Sequence, residues 1–169
     1  MTLRTQTFVV RPIEADVVAQ LRVRDDAGRA PTLVVDSEGG SPVRCCLRMS
    51  RPGEELLLVS YAPLRRWAAV TGADPAAYDE VGPIFIHPAP CDGPVHDGFP
   101  AELRGTPRVF RAYDDAGRIL DGRLVQPDEE PEPTIEALLA DERVAFVHAR
   151  ALGAGCFTFA IDRPPMTQR

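Results

Sequence analysis

The sequence predicts a single α+β domain, residues 1–169, made mostly of antiparallel sheet. Three observations carry that expectation. Short β-type runs, about eight of them, are separated by hairpin-length connections rich in Gly, Pro and Asp. The strand–helix alternation that a parallel sheet requires is absent. The chain has 169 residues, 44% of them hydrophobic, which suffices for one core. Two or three helices complete the set.

Residues 5–10 are β-branched and aromatic and read as a first strand. Ile13, Val17, Val18 and Leu21 recur at helical spacing. A turn cluster at 25–28 precedes a short strand at 32–35, which Gly39, Gly40 and Pro42 end. Residues 43–49 alternate, with Val43, Cys45 and Leu47 on one face and Arg44, Cys46 and Arg48 on the other. The apolar run 55–61 has the length and composition of a central strand. With Pro52-Gly53 between them, 43–49 and 55–61 are expected to pair as a hairpin.

Further along, 64–70 reads as one or two helical turns that pack Trp67, stopped by Gly72, Asp74 and Pro75. Residues 83–87 form a short strand, and Gly and Pro make 91–100 a loop. The runs 107–113 and 118–125 flank Asp114-Asp115-Ala116-Gly117, a strong hairpin signal. The acidic run Asp128, Glu129, Glu130 and Glu132 precedes a helix at 134–141, with Thr134 as the expected N-cap. Two strands, 144–150 and 156–161, close the chain.

Net charge is −6, which disfavours nucleic acid and anionic membranes as partners. All 19 basic residues are arginine, the side chain suited to bidentate carboxylate and phosphate contacts. Arg4, Gln6 and Arg11 interrupt any leader-type apolar segment. A cytoplasmic location is expected, with Cys45, Cys46, Cys91 and Cys156 as reduced thiols. On a strand, neighbouring Cys45 and Cys46 would face opposite ways.

No Gly-rich phosphate loop, nucleophile elbow, H-E-x-x-H or C-x-x-C is present. A metal site would have only the loose pair His87 and Cys91, with Cys46, His148 or Cys156 recruited from elsewhere. Core thiols are the commoner outcome, so neither a metal nor a cofactor is assigned. A nucleophile pair of Cys91 with His87 or His96 has no orienting group fixed by the sequence. The favoured site is a basic sheet face. Arg44, Cys46 and Arg48 share a face of one strand, His148 and Arg150 share a face of another, and His87 ends a third. Were those strands neighbours, three arginines and two histidines would gather to receive an anion. Tyr61 borders the 62–80 segment, which suits a lid.

The blocks Pro42-Val43-Arg44-Cys45-Cys46-Leu47-Arg48, Pro52-Gly53-Glu54, Leu57-Leu58-Val59-Ser60-Tyr61, Gly82-Pro83-Ile84-Phe85-Ile86, Arg111-Ala112-Tyr113-Asp114, Val147-His148 and Gly155-Cys156-Phe157 resemble the bacterial family known as domain of unknown function 1203. They run in order from Pro42 towards the C-terminus. The chain departs from that pattern at Val43, where many relatives read cysteine. It departs also at His87 and Arg150, where some relatives carry the other basic residue. The resemblance implies a stand-alone domain and carries over no activity and no catalytic residue. The resulting expectation is binding of a small anionic ligand by Arg44, Cys46, Arg48, Tyr61, His87, His148 and Arg150. The alternative is a protein-interaction or homodimerising structural module without enzymatic activity.

Overall fold

The hairpin at Asp114–Gly117 seeds the larger structural unit. Asp114 Oδ1 accepts hydrogen bonds from the backbone N–H of Ala116 (3.0 Å) and Arg118 (2.8 Å), fixing the turn. A computed structural model of the chain describes residues 6–165. In it, β7 (Arg108–Tyr113) and β8 (Ile119–Val125) flank that turn as the sequence predicts. β1 (Val9–Arg11), β10 (Phe157–Asp162) and β9 (Phe146–Ala151) extend this first sheet, in the order β1-β10-β9-β7-β8, all antiparallel. Of the predicted first strand, Thr5 lies outside the described residues, and pairing begins at Val9.

One face of this sheet is apolar. Phe110, Ala112, Val147, Ala149, Phe159 and Ile161 meet Ile135, Leu138 and Leu139 of helix α3 (Glu132–Leu139). Burying a large aliphatic or aromatic side chain contributes roughly 1.5–3 kcal/mol, so this layer dominates stability. Thr134 lies inside α3 and does not cap it: Pro131 holds the N-cap position with no side-chain hydrogen bond. Proline fixes φ near the helical value at no hydrogen-bond cost there, so the helix starts two residues earlier.

The second sheet has the order β2-β5-β6-β3-β4: β2 (Thr32–Asp36), β5 (Glu54–Tyr61), β6 (Gly82–Ile86), β3 (Pro42–Val43) and β4 (Arg48–Met49). β5 is an interior strand, as its apolar run predicts. Its neighbours are β2 and β6, so the expected hairpin with 43–49 does not form. Residues 43–49 are not one strand either. The chain reverses at 44–47, closed by Leu47 N–H on Val43 O at 2.8 Å, with Leu47 left-handed at φ 57°. Burial of the Leu47 side chain offsets that strain. β3 joins the sheet through a parallel pairing with β6, Val43 opposite Phe85.

Helix α1 (Ala15–Leu21) lays Val18 and Leu21 against Leu56, Ile84 and Ile86 of this sheet. Phe157 and Ala160 of β10 join the same cluster, so the two sheets share one interior. Helix α2 (Pro63–Thr71) ends on left-handed Gly72, φ 77°, and packs Leu64 and Trp67 with Tyr113 and Phe146. No helix among the described residues is long and apolar enough to cross a membrane.

Candidate functional site

β9 is buried along its length, and its alternation sorts its side chains. Val147 and Ala149 enter the core under α3, so Phe146, His148 and Arg150 face the other way. Antiparallel pairing sets Arg111 of β7 opposite His148, and Tyr113 opposite Phe146. Two arginines on neighbouring strands thereby converge on Glu80, which lies just before β6. Arg150 reaches its carboxylate at 2.7 Å, and Arg111 Nη1 lies 3.1 Å from both of its oxygens. These groups line a cleft of about 460 Å³ whose other walls include Tyr61, Pro63, Pro83, Cys156 and Phe157. The Tyr61 and Phe157 rings lie 5.2 Å apart.

His148 lies beneath this cleft. Its ring packs 4.8 Å from Tyr113, 5.0 Å from Phe146 and 4.9 Å, edge-on, from Phe157. Burial, reinforced by Arg150 and Arg111, pushes its pKa well below the ordinary 6.5, so the imidazole is neutral. Burial pushes the Tyr61 phenol up to about 12 and keeps it neutral too. Buried Arg150 Nε and His148 Nδ1 have no hydrogen-bond partner among the described residues. At neutral pH the polar wall therefore holds two cations and one anion.

The sequence-predicted residues separate into three places. Tyr61 and Arg150 line the cleft and His148 underlies it. Arg44 is buried behind it, donating from Nε to Phe157 O at 2.9 Å and from Nη1 to Pro42 O. Desolvation lowers the Arg44 pKa to about 10, which leaves it charged. Arg48, Cys46 and His87 stand at the far end of β6. The single basic face does not form, because 42–49 belongs to the second sheet and β9 to the first. Sequence reading missed Arg111 and Glu80. Arg111 shares a face with Val109 and Tyr113 in a correctly expected hairpin, yet nothing local shows that β9 lies beside it.

At the far end of β6, side chains from three segments meet. Cys45 Sγ lies 3.3 Å and Cys46 Sγ 3.9 Å from His87 Nδ1. The Cys45, Cys46 and Cys91 sulfurs and a His87 ring nitrogen all lie within 4.8 Å of one another. His87 Nε2 is 3.1 Å from Glu54, whose carboxylate also accepts both terminal nitrogens of Arg48. The Arg48 pairing holds the Glu54 pKa down at about 2. Hydrogen bonding between the two thiols raises the Cys45 pKa and lowers that of Cys46; burial adds to the first. His148 and Cys156, the distant ligands considered from sequence, stay with the cleft.

No curated protein and no solved structure matches the chain. A family model described as a protein of unknown function, DUF1203, matches residues 40–163. That span holds β3 to β10, and with it both the cleft and the thiol cluster. The chain belongs to the DUF1203 family.

Proposed function

We propose that the chain binds a small organic carboxylate in the cleft between β9 and the 80–83 segment. The observation that carries this reading is the convergence of Arg111 and Arg150 on one carboxylate, that of Glu80. Glu80 demonstrates that both guanidinium groups are already aimed at a carboxylate position. Its side chain is 46% exposed and comes from a connecting segment. One carboxylate against two arginines leaves a positive charge for an incoming anion. Tyr61, Pro63 and Phe157 supply an apolar wall for the rest of the molecule, as small-ligand sites commonly do.

Titration calorimetry with benzoate tests this, with neutral benzamide as its matched control. Benzoate is expected to bind saturably and benzamide not to bind. Arg111→Gln is expected to weaken benzoate about tenfold or more, about 1.4 kcal/mol. Glu80→Gln removes the competing carboxylate and is expected to strengthen it. The second variant is the decisive one. Were Arg111, Arg150 and Glu80 only a structural ion-pair network, Glu80→Gln would reduce stability and create no affinity. Equal binding of benzoate and benzamide, or of benzoate by wild type and Arg111→Gln, overturns the reading.

A further inference from the structure

A short parallel register brings the thiol cluster together. Val43 stands opposite Phe85, and Arg44 N–H donates to Phe85 O at 2.9 Å. Two residues further on each segment, Cys45 meets His87, whose N–H donates to Cys45 Sγ at 3.3 Å. The reversal at 44–47 swings Cys46 to the same imidazole, which a continuous strand would forbid. Pro88 and Pro90 carry the chain from His87 to Cys91, and Arg22 pins this segment by donating to His87 O (3.0 Å) and Ala89 O (2.9 Å).

We propose that Cys45, Cys46, His87 and Cys91 bind one zinc ion in a closed, structural site. Three sulfurs and one imidazole nitrogen are a soft, four-member set that suits zinc and disfavours the oxygen-seeking divalent cations. Tetrahedral zinc at the usual bond lengths sets sulfurs about 3.8 Å apart. The cluster lies within 4.8 Å throughout, so closure needs shifts of about 1 Å. Cys91 is exposed on a loop and is free to make them. His87 Nδ1 faces the thiols, while Nε2 lies 2.9 Å from Arg48 Nη2 and 3.1 Å from Glu54 Oε1. In the tautomer that leaves Nδ1 for a metal, Nε2–H donates to Glu54 and Arg48 keeps its pairing with that carboxylate. A metal-binding histidine characteristically donates its other N–H to a carboxylate, and Arg48 fixes that carboxylate in turn. Zinc uptake replaces the thiol protons, so three thiolates and one Zn²⁺ leave a single negative charge beside Arg48. The ion would join the 44–47 reversal to the loop after β6, which Arg22 ties to the end of α1.

The test uses the full chain, reduced and purified without added metal, then titrated with Co²⁺ and Zn²⁺. One equivalent of Co²⁺ is expected to give a thiolate charge-transfer band and the strong visible bands of tetrahedral cobalt. Zn²⁺ is expected to abolish both. Cys91→Ser should lose the charge-transfer intensity of one thiolate and weaken zinc by more than tenfold. Glu54→Gln, which keeps all four ligands, should weaken zinc about 10- to 100-fold. Cys156→Ser should bind as wild type does. A folded, reduced chain with no cobalt charge-transfer band overturns the proposal. So does zinc affinity indifferent to both Cys91→Ser and Glu54→Gln, or a preparation in which two of Cys45, Cys46 and Cys91 form a disulfide and the reduced form takes up no metal.

Discussion

His148 is a neutral base enclosed by aromatic rings and flanked by two cations. Its folded pKa lies below the ordinary 6.5, so the unfolded chain takes up a proton there that the folded chain does not. Stability is therefore retained above about pH 6.5 and falls as the pH drops below it, by at most about 1.4 kcal/mol per pH unit. Replacing the ring by another aromatic removes this titration. Urea unfolding of metal-free wild type and His148→Phe between about pH 8 and about pH 5 should give diverging curves, the variant being flatter. Parallel curves would show that His148 protonates without cost. Glu54 acts in a lower window: its depressed pKa supplies stability above about 4.5 that is lost as pH falls towards 2. The roles of His148 and Arg150 were half legible. Alternation assigns both to one face of β9, but burial against Tyr113 and Phe157 is set by other strands.

At the scale of elements, the β7–β8 hairpin and the β3–β4 reversal make opposite lessons. Gly117 has φ +82°, and a Cβ there would lie 2.9 Å from Trp67 Cζ3 and 3.1 Å from Pro75 Cβ. The hairpin turn is thus both left-handed and pressed against α2. Gly28 has a similar φ, +78°, but open space around it. Gly28→Ala should cost roughly 1–2 kcal/mol from backbone strain alone. Gly117→Ala should cost a further 1–3 kcal/mol or so, because Trp67 must shift. Denaturant midpoints of the two variants decide it, and equal losses would mean that Trp67 moves freely. The turn itself was readable from Asp114 and Gly117, since its chemistry is local. The β3–β4 reversal was not: Arg44-Cys45-Cys46-Leu47 holds neither Gly nor Pro, and a buried leucine occupies the left-handed position.

Across the whole molecule, β6 separates the two sites. Glu80 and Pro83 at its start border the cleft, and His87 follows its end. Five residues of strand place them about 16 Å apart. At that spacing perturbations usually add within about 0.5 kcal/mol. Stripping zinc should therefore lower stability, by about 2.7 kcal/mol when zinc had stood at a hundred times its dissociation constant. Benzoate affinity should stay unchanged within that additive limit. Calorimetry on metal-loaded and metal-free chain checks this, and loss of benzoate binding on stripping would show that β6 couples the two ends.

Local sequence signals were enough for the α+β class, the helices near 13–21 and 64–70, the strand at 55–61 as an interior one, and the hairpin around Asp114–Gly117. Each rests on spacing or turn chemistry within about ten residues, where side-chain periodicity and φ preference act directly. Which strands are neighbours came from long-range packing. Alternation tells which face Arg111 or His148 occupies, but not that β7 lies beside β9, or that the parallel β3–β6 register sets Cys45 against His87. The cost of closing a loop rises only slowly with its length, so a pairing across 42 residues, Val43 with Phe85, leaves no local mark. Such contacts are chosen by how the apolar faces of the ten strands among the described residues are buried together.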